Sequence, residues 1–325
     1  VSPDPEELTD DDKNEVAETV NSFKEKLEAG EEVIVGCVML ADVPVLMETW
    51  AGQIKDILEP EGITVNLTSA DGDMAKMISQ IENFLTMGAA CIITVPTDAA
   101  SLGEIARQAM NQGVQILTWG VEENDYTICC RNDSIGKACM QVDIGAAWVA
   151  ANYPDVNEEN KIKVAFFRDN SVADKVQSGD AIAEKIDSAG IFDNVYTQIG
   201  DTSGLDDSFI AGENALTYDP EIRVFFTHQY TAAIGISNYV MAQPELNHAE
   251  YGAFSTDEDS ATVDMIDNLS PNNESIFRGT AIPATSPGVK LGEVALQVIM
   301  EGTTAPQLFE VAILGHTDGT YEFSL

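Results

Sequence analysis

Positive charge is what this chain lacks most. Lys and Arg number 16 against 55 Asp and Glu, a formal net charge of −39 over 325 residues. A surface of that sign repels phosphate backbones and anionic lipid, which excludes nucleic acid as a partner. Histidine is also scarce: His228, His248 and His316 are the only three, and none neighbours a nucleophile motif. Neither a Gly-x-x-x-x-Gly-Lys phosphate loop nor a Gly-x-Ser-x-Gly elbow occurs. Acids are so abundant that no carboxylate pair singles itself out for glycoside hydrolysis. No run of 18 apolar residues is present, so no segment of the sequence reads as a membrane-spanning helix. The five cysteines, Cys37, Cys91, Cys129, Cys130 and Cys139, form neither a disulfide framework nor a zinc spacing. Cys37 and Cys91 sit in apolar runs and read as small buried hydrophobes. Cys129 and Cys130, adjacent in an extended run, point to opposite faces.

What the chain does have is one pattern twice over. Apolar β-type runs at 33–40, 63–67, 91–95 and 114–118 alternate with helical segments, and the scheme repeats at 163–167, 195–199, 223–226 and 251–254. Short all-apolar strands alternating with helices imply a parallel sheet buried on both faces. Two such sets imply an α/β protein of two doubly wound domains, with a ligand crevice at the carboxyl ends of the strands. The helices announce themselves. Asp73 opens the run that Gly88 ends; Ser101–Asn111 precedes Gly113; Asp133 and Ser134 cap 135–152; and 173–188 stops at Gly190. Further helices are expected near 206–216, 231–242, 257–268 and 287–300. Residues 1–32 stand apart as an acidic extension. Thr9 with Asp10, Asp11 and Asp12 starts a helix whose stripe is Val16, Val20, Phe23 and Leu27, read as packing on the first domain.

The run Val33-Ile34-Val35-Gly36, then Pro44, then Ile92-Ile93-Thr94-Val95-Pro96-Thr97-Asp98-Ala99, then Gly113-Val114-Gln115-Ile116-Leu117-Thr118-Trp119, resembles the ribose-type solute-binding proteins that feed ABC transporters. Asn132-Asp133-Ser134-Ile135-Gly136 resembles that family's first interdomain crossing, and Gly252-Ala253-Phe254-Ser255-Thr256 one of its pocket strands. The resemblance implies two Rossmann-like domains joined by a three-crossing hinge, near Asn132, Ile282 and Ala312, with the ligand cleft between them. The first domain would take 33–132 plus 283–311, and the second 133–282 plus 312–325. It further implies a monomeric extracytoplasmic protein, no enzyme, that captures a sugar or polyol by hinge closure and delivers it to a membrane permease. A ligand sensor of the same fold is the alternative, ahead of a repressor's effector domain or an enzyme. Where ribose binders place an Asp-Arg pair, this chain has Trp119-Gly120, and Ser255 replaces an Asp, which argues against ribose itself. The autoinducer-binding branch shares Thr118-Trp119 and an Asp matching Asp174, but its lysine near the first strand is missing.

Sugars need planar amides, carboxylates and hydroxyls for their OH groups, and an aromatic ring for their C–H faces. The candidate ligand residues are therefore those at strand ends: Trp119, Asp42, Gln229, Tyr230 and Ser255, with Asp174 and Gln177 together on one helical face. The alternatives are a core tryptophan, a helix cap for Asp42 and a solvated face for the helical pair. Arg168 follows a strand and either contacts a ligand acid or pairs with a crevice acid such as Asp169. Residues 155–163 occupy the place of a calcium loop in galactose/glucose binders. Asn160 stands where the turn needs glycine and Lys163 where an oxygen ligand belongs, so a plain surface loop is expected. No metal or cofactor is expected. Val1–Glu7 is acidic and extended, as a tether would be. The expectation is a lipid-anchored cysteine just before Val1, the alternative being free periplasmic diffusion.

Overall fold

A computed structural model describes residues 22–97, 100–120, 124–171, 173–200, 204–267 and 275–324, without the side chains of 173 and 174. The acidic segment Val1–Glu7, the helix start at Thr9, Asp98 and the side chain of Asp174 lie outside the described residues. The chain forms two compact units. One takes the chain up to Asn132 together with Thr285–Val311, the other Asp133–Ala284 together with the chain from Ala312.

The first unit is built on strands β1 (Val33–Met39), β2 (Ile63–Ser69), β3 (Cys91–Thr94), β4 (Gln115–Trp119), β5 (Thr127–Asn132) and β11 (Gln307–Val311). Their order is β11-β5-β4-β3-β1-β2, and every pairing is parallel. A parallel sheet must be covered on both faces. One face carries Val35, Cys37, Ile93, Leu117 and Trp119 against α1 (Ala51–Leu58), Phe23 and the late helix α9 (Pro287–Glu301). The other carries Val38, Ile92 and Ile116 against α2 (Met74–Thr86) and α3 (Gly103–Asn111). The α2 helix starts where the Asp73 carboxylate accepts from the N–H groups of Ala75 and Lys76. Gly36 is required by packing: a Cβ there would fall 2.5 Å from the Phe84 ring.

The second unit has β6 (Ile162–Arg168), β7 (Phe192–Ile199), β8 (Val224–Thr227), β9 (Gly252–Thr256), β10 (Phe277–Pro283) and β12 (Ile313–Thr317). The order is β12-β10-β9-β8-β6-β7, parallel except for β12 on β10. Phe166, Phe226 and Phe254 face α4 (Ser134–Asn152) and α5 (Ala173–Ser188). Phe167, Phe225 and Ala253 face α6 (Leu205–Tyr218) and α7 (Tyr230–Met241), and Ile266 of α8 (Ser260–Asp267) joins that core.

All eight strands read from the apolar runs are present. β5, β10, β11 and β12 were not anticipated as strands. They carry polar or small residues within short runs, such as Arg278 and Gly279 in β10, and β11 is partly exposed. Cys37, Cys91, Cys129 and Cys130 are buried, and none of them forms a disulfide. Burial pushes the Cys37 thiol up to about 12, against a smaller opposing effect of Lys55.

One buried ion pair ties the C-terminal segment to the second sheet. The Arg278 side chain is 2% exposed and that of Asp318 fully buried, with Nη1 and Oδ2 3.5 Å apart. Arg278 Nε also donates to the Tyr251 carbonyl and Nη2 to the His248 carbonyl, while Tyr321 Oη donates to the Arg278 carbonyl. Breaking such a pair strands the remaining charge. Asp318→Ala is expected to cost about 3–5 kcal/mol in urea unfolding, and more than a double Arg278→Met, Asp318→Ala change. A loss below about 1 kcal/mol would show that the pair does not hold this segment.

Candidate functional site

In doubly wound sheets the strand carboxyl ends are the ligand edge. On the first unit that edge carries an aromatic pair. Trp119 closes β4 at 9% exposure, packed edge-on against Trp50 with centroids 5.9 Å apart and planes at 66°. Trp50 ends a π-helical turn, Val45–Trp50, that follows β1. Such wide turns recur at functional sites. Asp42, in the loop before it, is exposed, with Val43 and Val45 exposed beside it.

On the second unit the edge is polar and tightly hydrogen-bonded. Asp169 follows β6, and its side chain is only 3% exposed. Its carboxylate takes Lys175 Nζ, the Gln229 side-chain amide at 2.7 Å and the Ser171 N–H at 2.8 Å. Burial opposes ionisation of Asp169, yet the hydrogen bonds from Lys175 and Ser171 outweigh it and hold its carboxyl well below the usual range. Arg168 does not pair with Asp169. It reaches Asp180 Oδ1 at 2.5 Å, the Val176 carbonyl at 3.0 Å and Asn170 Oδ1 at 2.7 Å. Lys137, in the first turn of α4, binds Asp257 Oδ1 at 2.6 Å after β9.

The other expected residues fall as follows. Gln229 lies at this edge with its amide nitrogen engaged by Asp169. Gln177 is exposed on α5. Tyr230, half-buried, begins α7, and burial raises its hydroxyl pKa, with the Asp259 and Asp257 charges adding. Ser255 is fully buried, its hydroxyl 3.4 Å from the carbonyls of Thr227 and Thr256. Sequence reasoning did not single out Trp50, Asp169, Lys175 or His228 for ligand contact. Position directly after an apolar strand was the available signal for Asp169 and His228. In the loop 155–163, Asn157 Oδ1 accepts from the N–H groups of Glu159 and Asn160, and Lys163 pairs with Asp219 and Glu221.

Ser178 Oγ lies 3.0 Å from His228 Nε2, the spacing of a nucleophile and its base. The chemistry is otherwise. His228 Nδ1 accepts from the Asp169 N–H at 3.1 Å. The neutral ring therefore carries its proton on Nε2 and donates to Ser178, so it cannot take that hydroxyl's proton.

Two doubly wound sheets, one edge aromatic and the other a hydrogen-bonding cluster, define a two-domain binding fold. The chain belongs to the periplasmic binding protein domain family, whose model matches residues 38–273. Members of that family are binding proteins, and membership implies a place outside the cytoplasm. No helix among the described residues is long and apolar enough to cross a membrane. Solved structures share the fold at low identity. A 5-methylthioribose transporter solute-binding protein from Thermotoga lettingae, in complex with 5-methylthioribose, is 17% identical over 88% of this chain and 86% of that one, with a TM-score of 0.59. A sugar-binding protein of a sugar ABC transporter from Bacillus halodurans is 14% identical over 89% and 98%, TM-score 0.68. A periplasmic ribose ABC transporter protein from Conexibacter woesei is 15% identical over 89% and 93%, TM-score 0.66. No curated protein matched.

His316 on β12 offers a test of the second unit's electrostatics. Its Nδ1 lies 2.6 Å from Glu258 Oε2 and its Nε2 2.8 Å from Asp267 Oδ1. Ionised carboxylates only accept, so both nitrogens donate and the ring is an imidazolium. Burial lowers its pKa, but hydrogen bonds to Glu258 and Asp267 outweigh burial and raise it above 6.5. A pKa raised on folding gives stability that is full below the unfolded value and lost as pH rises through the folded one. The advantage of the native protein over His316→Gln in denaturant unfolding is therefore expected to be larger at about pH 5.5 than at about pH 9. An equal difference at both would remove the ion pairs from the account.

Proposed function

We propose that the protein is an extracytoplasmic solute receptor, not an enzyme. It takes a neutral sugar or sugar-like molecule, closes on it by hinge motion and delivers it to an ABC transporter permease. The observation that carries the reading is the charge state of the second unit's ligand edge. Among the described residues its cations, Arg168, Lys175 and Lys137, are already matched by Asp180, Asp169 and Asp257. An anionic ligand would have to displace those acids, whereas a hydroxyl can join the existing network as donor and acceptor. The solutes in the names of similar structures, 5-methylthioribose, ribose and allose, support the class.

In this reading Trp119 offers an apolar face and Asp42 accepts a hydroxyl. Gln229 contributes its side-chain carbonyl, and Asp174, Gln177, Tyr230 and Ser255 complete the set. Ligand favours the closed state by its higher affinity for it. The protein works as a monomer, and the acidic residues Val1–Glu7 serve as the tether of a lipid-anchored form.

The test is a thermal-shift panel of D-ribose, D-allose, L-arabinose, 5-methylthioribose and myo-inositol, with amino acids and carboxylates as controls. Saturation at a hundredfold excess over Kd adds about 2.7 kcal/mol to stability. The binding sugar is expected to compact the protein in small-angle scattering and to change tryptophan fluorescence. Trp119→Phe, which keeps the core filled better than alanine, is expected to weaken binding by about 1 kcal/mol or more. Stabilisation by an amino acid or carboxylate with no response to any sugar or polyol would overturn the reading.

A further inference from the structure

His228 follows β8, and its main chain is fixed on both sides. Its N–H donates to the Phe167 carbonyl at 3.1 Å, and its carbonyl accepts from Thr256 Oγ1 at 3.2 Å. The side chain links two elements of the second unit's ligand edge. A backbone N–H can only donate, so the bond from Asp169 requires an unprotonated Nδ1. The Nε2 proton goes to Ser178 Oγ, and Ser178 Oγ donates to the Lys175 carbonyl at 3.4 Å. Asp169 and Lys175 then meet through their side chains, and Gln229 joins the same carboxylate. One imidazole thus fixes the main chain of both partners of the ion pair, at the end of β6 and the start of α5.

We propose that His228 is a positioning residue for ligand capture: as the neutral Nε2–H tautomer it sets Asp169, Lys175 and Gln229 in register, and protonation of Nδ1 disassembles them. The inference rests on the reading that solute is taken at this edge. Protonation would place an N–H on Nδ1 facing the Asp169 N–H at a distance that now holds a hydrogen bond, and the two donors must part. Among the described residues, the charged groups on the elements that flank the ring are Arg168 and Asp169 from β6 and its end, and Lys175 and Asp180 from α5. Arg168 is beside the ring. A Cβ placed on Gly179 would fall 2.9 Å from His228 Cε1 and 3.0 Å from Arg168 Nε. A guanidinium so near disfavours a second cation. Glycine at 179 is what lets α5 come this close. Solute affinity is consequently highest where imidazole is neutral and falls in acid.

The experiment needs no solute. Ring 15N shifts of His228 and the amide spectrum of the free protein are followed from about pH 8 to about pH 5. At the alkaline end Nδ1 is expected unprotonated and Nε2 protonated. On acidification the amides of Asp169, Lys175 and Ser178 and the side-chain amide of Gln229 shift with the ring. His228→Asn, whose side-chain oxygen can replace Nδ1 as acceptor, is expected to keep the alkaline Asp169 signal at every pH. His228→Phe is expected to lose it throughout. A protonated Nδ1 at pH 8, or a ring that titrates while Asp169, Lys175 and Gln229 stay unmoved, overturns the proposal. That outcome would leave the solute-receptor reading standing, and a failed sugar panel would leave this result standing.

Discussion

Burial of parallel strands on both faces is the constraint on which the rest of the molecule depends. A strand such as Val164-Ala165-Phe166-Phe167 has no solvated side, so it cannot carry a polar side chain along its middle without a partner. Chemistry is displaced to where strands end. Arg168 ends β6 and Asp169 follows it, His228 and Gln229 follow β8, and Asp257 follows β9. The same density limits what stands next to the sheets. Gly36 exists because the Phe84 ring occupies the space of a Cβ, and Gly179 because His228 and Arg168 do. The ligand edge is thus a consequence of the core, assembled from the first residues the sheet cannot absorb.

The charge imbalance acts on that edge. At −39, the chain works against its own compactness by self-repulsion. Among the described residues, several of its few cations stand beside acids: Arg131 beside Glu310, Lys163 beside Asp219 and Glu221, Lys185 beside Asp143. Most of these pairs are exposed and contribute little individually. Asp169 differs because it is buried. Without Lys175 its charge would be stranded in the protein interior, so the lysine is structurally committed before any solute arrives. On that edge, hydrogen bonds and ion pairs already occupy Asp169, Lys175 and Arg168.

Much of the fold was legible because all-apolar runs of strand length can serve only a sheet covered on both faces. The edge and late strands were not, for a physical reason. β11 and β12 are partly exposed and mix polar with apolar residues, so their pattern resembles a loop. The site was legible at the level of position rather than contact. Gln229 and Trp119 were read from their places after strands. Trp50 was hidden because a π-helical turn brings it against Trp119, and helical periodicity does not foresee that turn. Asp169 was visible only as a possible partner of Arg168. The start of α5 gives Arg168 a carbonyl and Asp180 instead, and gives Asp169 to Lys175. In the sequence His228 is notable only for having no nucleophile motif beside it, and its tautomer, which decides its chemistry, depends on a backbone N–H that no spacing rule identifies.

Within the second unit, the residues that follow two of the chain's crossings converge on one loop. Lys137 lies in the first turn of α4, just after the chain enters at Asp133, and binds Asp257. His316 lies on β12, just after it re-enters at Ala312, and binds Glu258. Asp257 is one of two non-glycine residues with positive φ among those described, at 64°, a conformation that persists when its surroundings over-determine it. Here the surroundings are identifiable. The Asp257 N–H donates to the Ala281 carbonyl, its own carbonyl accepts from Thr280 Oγ1, and its carboxylate holds Lys137. The loop after β9 is therefore held by the segments that join this unit to the rest of the chain. Asp257 and Glu258 thus give the two segments adjacent ion-pair partners on one loop at the carboxyl end of β9.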